Sequence, residues 1–231
     1  MAQHNIDPQE VAKFEAMAHR WWDPEGDFRP LHDLNPLRCQ WIADRAPLAG
    51  ARLLDVGCGG GLVSEAMARY GAEVTGVDAA EGPLTVARLH ALDGGLEIRY
   101  LHSTVEGLGA EEGPFDVITC LEMLEHVPDP GAVVAACAER LKPGGHLFLS
   151  TLNRSLKSWL FGVVGAEYVL NLLPRGTHEY ERFLRPSELA GLGRKAGLRL
   201  QGIAGLHYDP IRRKAWLNAR ADVNYLMHFT R

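Results

Sequence analysis

Residues 53–61, LLDVGCGGG, decide the fold class of this chain. An apolar segment with one aspartate runs directly into a turn with four glycines, and the helical pattern LVSEAMARY follows at once. Glycine lets a backbone approach a ligand closely and adopt positive φ, and the first turn of a helix offers unpaired amide groups to an anion. The stretch therefore predicts a strand, a ligand-binding turn and a helix, the opening unit of an α/β domain.

Outward from this turn, short apolar strands alternate with helical segments. The alternation predicts a doubly wound, Rossmann-like parallel sheet with helices on both faces, an α/β fold of seven strands and about six helices. The predicted strands are residues 52–56, 73–77, 97–101, 115–120, 146–151, 198–203 and 223–229. The predicted helices include residues 62–70, 83–92, 131–141 and one that opens at Pro186.

The composition is typical of a single globular domain. The chain has 231 residues, of which 46% are hydrophobic, so it is long enough to bury a sizeable core. Within this domain we distinguish an N-terminal helical extension (1–50), a ligand-binding core (51–151), a lid or membrane-facing insertion (152–185), and a C-terminal helix with strands (186–231).

Charge and cysteine usage exclude some classes of protein. A formal charge of −5 gives no basic footprint, so nucleic acid is not expected as a partner. The four cysteines lie far apart without a C-x-x-C pair and are expected to be reduced core thiols. The first residues lack the basic and apolar regions of an export signal, and we expect a cytoplasmic protein. The cysteines are Cys39, Cys58, Cys120 and Cys137.

The glycine spacing distinguishes two ligand classes. A dinucleotide fold uses G-x-G-x-x-G/A, but counting from Gly57 the sixth position is Leu62, where a small residue is needed. A nicotinamide-dependent oxidoreductase is therefore the weaker alternative. The spacing acid-x-G-x-G-x-G, formed by Asp55, Gly57, Gly59 and Gly61, resembles motif I of class I methyltransferases. In that class, the motif cradles the methionine part of S-adenosylmethionine.

Asp78 ends the next predicted strand, about 20 residues after the glycine turn. A carboxylate at this place accepts both ribose hydroxyl groups of a nucleoside in many α/β proteins. Dinucleotide enzymes share this feature, so Asp78 indicates a ligand with a nucleoside part but does not distinguish between the two ligand classes. The alternative is that Asp78 only caps the helix before Pro83.

Residues 121–128, LEMLEHVP, follow the fourth predicted strand. If residues 122–126 form a helical turn, Glu122, Glu125 and His126 share one face and form the candidate catalytic group. His126 is a candidate general base for a hydroxyl acceptor, and the trio is also a candidate site for Mg²⁺ or another divalent metal. The alternative is that His126 packs locally and both glutamates are solvated. The N/D-P-P-Y/F/W motif of N-methylating enzymes is absent.

Several longer stretches are shared with one family. They are KFEAMAHRWWD, DVGCGGG, LEMLEHVPDP, LKPGG, STLNR, KSWL, VGAEY and PRGTH, in this order. With them, the chain resembles the bacterial ubiquinone-biosynthesis O-methyltransferases almost from end to end. The resemblance implies S-adenosylmethionine as methyl donor and O-methylation of two acceptors, a polyprenyl catechol (2-polyprenyl-6-hydroxyphenol) and 3-demethylubiquinol. It also allows other ubiquinone-biosynthesis proteins as partners.

The resemblance further implies site residues. Arg38 is expected to contact the donor through its carboxylate, because guanidinium geometry suits that pairing. Gly57, Asp78 and Leu121 would complete the donor site, with Leu121 near the adenine end at a position where the family can carry methionine. In eukaryotic relatives, the residues that match Glu122, Glu125 and His126 are associated with magnesium.

Residues 159–173, WLFGVVGAEYVLNLL, form an apolar insertion. As a helix, this segment would rise about 22 Å, short of the roughly 30 Å hydrocarbon core, so it cannot span a bilayer. Basic residues flank it, which favours a peripheral contact with the cytoplasmic face of the inner membrane. The alternative is a lid over the active site. Candidate substrate-lining residues from this region are Tyr168, His178 and Tyr180.

Two further alternatives remain open at this stage. One is a methyltransferase of the same fold for another small phenolic or lipid-like acceptor. The other is a binding module that keeps the donor pocket without catalysis, from which formation of S-adenosylhomocysteine would distinguish the enzyme.

Overall fold

The structure, a computed structural model, describes residues 5–155 and 180–231. The helices in these ranges are α1 (Pro8–Met17), α2 (Arg29–Ala43), α3 (Leu62–Arg69), α4 (Glu81–Asp93), α5 (Pro130–Arg140) and α6 (Pro186–Lys195). The strands are β1 (Arg52–Val56), β2 (Glu73–Asp78), β3 (Arg99–His102), β4 (Phe115–Leu121), β5 (Leu141–Leu152), β6 (Arg199–Asp209), β7 (Lys214–Asn218) and β8 (Asn224–Thr230). Short 3₁₀ turns cover Ala18–Arg20, Leu124–His126 and Tyr180–Arg182.

The strands form one sheet in the order β3-β2-β1-β4-β5-β8-β6-β7. Strands β1 to β5 pair in parallel, and β8 is antiparallel to both β5 and β6. In the centre, Asp55 of β1 is opposite Gly76 of β2 and Thr119 of β4. The predicted doubly wound α/β class is confirmed.

The predicted number of strands was wrong by one, because β7 was missed and the described sheet has eight strands. This strand pairs only with β6 and forms the edge of the sheet. Its five residues alternate between exposed and half-buried, and the basic residues before it lead into a hairpin. A short edge strand with so little burial has little apolar pattern to reveal it.

Helices cover both faces of the sheet. Neighbouring residues of β1 show this directly, because Leu53 belongs to the core that α2 and α3 cover, and Leu54 belongs to the core that α5 and α6 cover. Strands that are buried on both faces read as continuous apolar runs, which explains the sequence pattern. All four cysteines are buried and unpaired, as predicted.

Local signals fix the helix ends that matter for the cavity described below. The Asp7 side chain accepts from the backbone of Gln9 at 3.0 Å and starts α1, whose first residue is proline. Asp129 in the same way caps α5. The predicted end of this helix is confirmed to within one residue, since α5 ends at Arg140 and β5 begins at Leu141.

No helix within residues 5–155 and 180–231 combines the length and apolar character that crossing a bilayer requires. The predicted insertion, residues 159–173, lies outside the described residues.

Candidate active site

A cavity of about 770 Å³ opens at the carboxyl ends of the central strands. Residues after β1, β2, β3 and β4 line it, as expected for the ligand site of an open α/β sheet. The N-terminal helix α1 and the β6–β7 hairpin complete its walls. The cavity therefore combines residues from both ends of the chain.

The glycine turn adopts the predicted left-handed backbone, with φ of +69° at Gly57, +51° at Gly59 and +89° at Gly61. Its missing side chains also leave room for protein groups. A Cβ atom on Gly59 would lie 2.1 Å from Cζ2 of Trp21, and one on Gly57 would lie 2.4 Å from Cγ of Met123. The turn is thus covered by a tryptophan from the N-terminal segment, a contact that sequence reasoning did not find.

Asp55 holds the turn from below. Its carboxylate accepts hydrogen bonds from Ser64 Oγ at 2.6 Å and Thr119 Oγ1 at 2.8 Å. Asp55 as a whole is only 2% exposed. Burial raises the pKa of Asp55 to about 6, against the opposing effect of these hydrogen bonds. Asp55 therefore ties β1 to α3 and β4, and gives the turn a fixed base.

Asp78 accepts hydrogen bonds from two backbone amide groups. One carboxylate oxygen accepts from the Gly59 backbone at 2.9 Å, and the other accepts from Ala80 at 2.8 Å at the start of α4. Burial raises the pKa of this carboxyl above its ordinary value. The side chain lines the cavity beside the glycine turn, where the expected nucleoside would lie.

Arg38 also lines the cavity, and the described residues give it only long contacts. It is 2% exposed, Nη2 lies 3.5 Å from Asn35 Oδ1, and Nη1 lies 3.9 Å from Glu122 Oε1. Within residues 5–155 and 180–231, its Nε has no hydrogen-bond partner. A buried guanidinium with such long contacts suits one more anionic group, because unsatisfied buried donors are costly.

Glu122, Glu125 and His126 do not share one helical face, and that expectation was wrong. Glu122 has φ of +55°, so the backbone turns sharply there, and the 3₁₀ turn begins only at Leu124. Ser150 Oγ at 2.7 Å and Asn224 Nδ2 at 2.8 Å donate to the Glu122 carboxylate. The three side chains still line the same cavity, but different parts of the protein hold them.

Glu125 is directed into the interior and is 4% exposed. Thr151 Oγ1 donates to its carboxylate at 2.7 Å. Burial, reinforced by the negative charge of Glu122, raises the pKa of Glu125 to about 7. The alternative interpretation, in which both glutamates are solvated, is therefore wrong for Glu125.

His126 pairs with a residue that the sequence reading did not single out. Its Nδ1 lies 2.5 Å from Oε2 of Glu10 on α1, and its ring packs edge-on against Phe14 with centroids 5.1 Å apart. Burial alone would raise the pKa of Glu10, but the hydrogen bond and charge of His126, with that of Lys13, lower it overall.

The candidate substrate-lining residues are only partly described. Tyr168 and His178 lie outside the described residues. Tyr180 is described, but it is absent from the cavity wall, and its ring packs against Phe183 with centroids 5.8 Å apart.

Comparison with known proteins identifies the family. A family model described as a methyltransferase domain matches residues 31–202. A ubiquinone biosynthesis O-methyltransferase from Marinobacter nauticus is 57% identical, over 99% of this chain and 97% of its own length. One of the same name from Nitrosococcus oceani is 59% identical, over 97% of this chain and 95% of its own length.

The chain belongs to the ubiquinone biosynthesis O-methyltransferase family. It is a methyltransferase that uses S-adenosylmethionine. Among solved structures, magnesium protoporphyrin IX methyltransferase from Synechocystis, with bound S-adenosylhomocysteine, has a TM-score of 0.67 at 19% identity. It covers 97% of this chain and 100% of its own. A possible histamine N-methyltransferase from Thermotoga maritima has a TM-score of 0.69 at 17% identity and covers 96% and 99%. At these identities, the likeness supports the methyltransferase fold.

The residues of this methyltransferase fit its donor. The under-partnered guanidinium of Arg38 would hold the carboxylate, Asp78 would accept from the ribose, and Gly57 and Gly59 line the cavity wall beside Asp78. Leu121 is 8% exposed at the end of β4 and lines the same cavity. Arg38, Gly57, Gly59, Asp78 and Leu121 thus all line one cavity.

The candidate metal ligands do not fit a divalent cation as placed. In the part of the chain that the structure describes, no cluster of three or more His, Cys, Asp and Glu side chains has the geometry to hold a metal ion. Hydroxyl, amide and carboxylate groups of the protein already occupy the side chains of Glu122, Glu125 and His126.

Sequence reasoning missed other residues of the cavity wall. Ser103, Thr104 and Val105 follow β3 and line the cavity beside Asp78. The signal was available, because they stand at the carboxyl end of a parallel strand. For Glu10 and Trp21, which come from the N-terminal extension, there was no local signal of this kind.

Proposed function

We propose that the protein performs O-methylation in ubiquinone biosynthesis, on 2-polyprenyl-6-hydroxyphenol and on 3-demethylubiquinol. Membership of the family supports this assignment, since relatives with this name match nearly the whole chain. The acceptor common to both reactions is a phenolic hydroxyl group on a ring that carries a polyprenyl tail.

One observation supports the proposal above all: the residues predicted to bind S-adenosylmethionine and His126 line the same cavity. Apolar side chains dominate the rest of the wall, which suits an aromatic ring with a hydrocarbon tail. They include Phe14, Val127, Val133, Leu206 and Trp216.

In this assignment, His126 accepts the phenolic proton and thereby makes the acceptor oxygen an anion. Arg38, Asp78 and the glycine turn hold the donor in one orientation, and the cavity wall holds the ring beside it. When bound, S-adenosylmethionine supplies an electrophilic methyl group on its sulfonium sulfur. The products are the methyl ether, S-adenosylhomocysteine and one proton, which His126 returns to solvent.

We further propose that the protein meets its substrate at the cytoplasmic face of the inner membrane. The apolar insertion, residues 159–173, supports this from the sequence. In the described part of the chain, Ile211 at the tip of the β6–β7 hairpin is 84% exposed, and Trp216 is 41% exposed beside the cavity. Arg212 and Lys214 are exposed between them. Apolar and basic groups together suit an anionic lipid surface.

Transfer of label tests the reaction. Purified protein is incubated with methyl-labelled S-adenosylmethionine and a short-chain prenyl catechol, and label is followed into the organic phase. We expect transfer that survives a chelator and falls by at least about 100-fold in His126→Ala. Transfer that stops with chelator contradicts direct base catalysis, and failure to form S-adenosylhomocysteine contradicts the methyltransferase assignment.

Co-sedimentation with phosphatidylglycerol vesicles tests the membrane contact. We expect deletion of residues 159–173 to abolish binding and Ile211→Asp to reduce it. Leu92→Asp is the matched control, because Leu92 is 74% exposed on α4, away from the hairpin. Equal binding of the wild type, the deletion variant and Ile211→Asp would contradict the proposal.

A further inference from the structure

Two side chains of α1 hold the imidazole ring of His126. Glu10 Oε2 lies 2.5 Å from Nδ1, and Phe14 packs against the ring edge at an interplanar angle of 87°. Glu10 is 116 residues before His126 in the chain. Their side chains are 19% and 15% exposed, so the contact is largely screened from solvent. One contact fixes a nitrogen atom, and the other restricts the plane of the ring.

The position of Glu10 matters because a histidine base has two different nitrogens. A carboxylate at Nδ1 favours the tautomer with hydrogen on Nδ1, which leaves the lone pair of Nε2 to accept a proton. The same carboxylate stabilises the imidazolium that forms when the proton arrives. A hydrogen bond between an imidazolium and a carboxylate is charge-assisted and therefore stronger than one between neutral groups.

The rest of α1 is anchored on both sides of Glu10. Before it, Asp7 pairs with Arg182 at 2.8 Å, and Asn5 exchanges hydrogen bonds with the backbone of Asp129. After it, both carboxylate oxygens of Glu15 accept from the backbone of Gly82, at 2.9 and 3.0 Å. These contacts hold Glu10 over the cavity as part of a docked helix, and do not depend on His126.

We propose that Glu10 is a positioning residue for methyl transfer, which sets the tautomer and orientation of His126 through the Nδ1 contact. This inference rests on the proposed function of His126 as the base. It assigns a specific task to the N-terminal extension, because the helix that covers the cavity also prepares the proton acceptor.

Steady-state kinetics of Glu10→Gln test the proposal. We expect kcat to fall about 10- to 100-fold, with KM for both substrates within about twofold of wild type. Glu10→Asp should recover part of the loss, because it restores the negative charge. Gln9→Ala is the matched control on the same helix and should keep kcat within about twofold, since the Gln9 side chain is exposed and its loss leaves the His126 contact intact.

A double substitution separates positioning from a merely structural role. In a His126→Ala background, Glu10→Gln should lower kcat no further, whereas a structural role would produce the same additional loss as in the wild type. Wild-type activity of Glu10→Gln together with an inactive His126→Ala overturns the positioning role alone. Wild-type activity of His126→Ala overturns the proposed base and the positioning role with it.

One measurement needs no variant and no turnover. Long-range ¹H–¹⁵N correlation spectra of the full chain distinguish the two neutral histidine tautomers. For the neutral His126 ring, we expect a protonated Nδ1 and an unprotonated Nε2. The opposite tautomer would overturn the proposal even if Glu10→Gln failed to fold.

Discussion

Arg38 and Glu122 face each other in the cavity wall at a distance too long for a good hydrogen bond. Nη1 of the arginine lies 3.9 Å from Oε1 of the glutamate, and no group in the described part of the chain pairs with the guanidinium Nε. The glutamate is instead satisfied by Ser150 and Asn224. The arginine is therefore held in place with hydrogen-bonding capacity left for a ligand.

We expect Arg38→Lys to weaken binding of S-adenosylhomocysteine about 10- to 100-fold, because lysine keeps the charge but loses the planar fork. Isothermal titration calorimetry measures the change. Arg45→Lys is the matched control, since the Arg45 guanidinium lies over the Trp41 ring at 4.2 Å, away from the donor turn. Unchanged affinity in Arg38→Lys would show that the carboxylate binds elsewhere.

The contact between Trp21 and the glycine turn gives a second prediction. A Cβ atom on Gly60 would lie 2.3 Å from Cγ of Trp21, so we expect Gly60→Ala to displace the indole and weaken donor binding. The free energy of unfolding should fall by about 1–3 kcal/mol. Tryptophan fluorescence, thermal denaturation and calorimetry measure the three effects.

Gly50→Ala is the control for Gly60→Ala. Gly50 has φ of +71°, but no atom lies within 4 Å of its would-be Cβ. Alanine there should lower stability by about 1–2 kcal/mol through backbone strain alone and leave donor affinity unchanged. If Gly60→Ala gave wild-type fluorescence, the indole contact would not exist in solution.

Burial of Glu125 predicts a pH-dependent loss of stability. Its folded-state pKa of about 7 is above the ordinary value of 4.5, so its stabilising contribution is complete below pH 4.5 and is lost as pH rises towards 7. Glutamine remains neutral and keeps an acceptor for Thr151. The stability of Glu125→Gln relative to wild type should therefore increase by about 1 kcal/mol or more across this range. Thermal denaturation at several pH values checks the slope, with Glu139→Gln on the exposed face of α5 as control.

For His228, we expect the opposite dependence of stability on pH. Burial, with the neighbouring His146, lowers the pKa of His228 to about 4 from the ordinary 6.5. Its stabilising contribution is complete above pH 6.5 and is lost as pH falls towards 4. The ring stacks on Phe148 with centroids 4.5 Å apart, so phenylalanine should fit. His228→Phe should lose less stability than wild type on acidification; parallel melting curves for the two proteins would contradict the assignment.

The parts of the site that the sequence predicted are those with local causes. The glycine turn, Asp55 and Asp78 each stand at the end of a strand, and chain direction alone brings such ends to one edge of the sheet. Cysteine burial and the end of α5 likewise follow from short patterns. These features need no knowledge of distant contacts.

The parts that failed depend on tertiary contacts. The i, i+3, i+4 spacing of Glu122, Glu125 and His126 assumes a regular helix. Glu122, directly after β4, instead has a left-handed backbone, and its carboxylate accepts from side chains of β5 and β8. Glu10 meets His126 only after the whole core has formed between them. No local periodicity encodes a pairing across 116 residues.

The anchoring of α1 has a consequence for how the chain reaches its native state. The helix and the residues just before it contact Gly82, Glu106, His126 and Arg182. Arg182 is 175 residues from Asp7, to which it donates. This helix is synthesised before all four of these partners, and Arg182 leaves the ribosome long after it. Such distant pairing slows folding, because the entropy of a long loop must be lost before the contact forms. We therefore expect the Rossmann-like sheet to form before α1 docks against it.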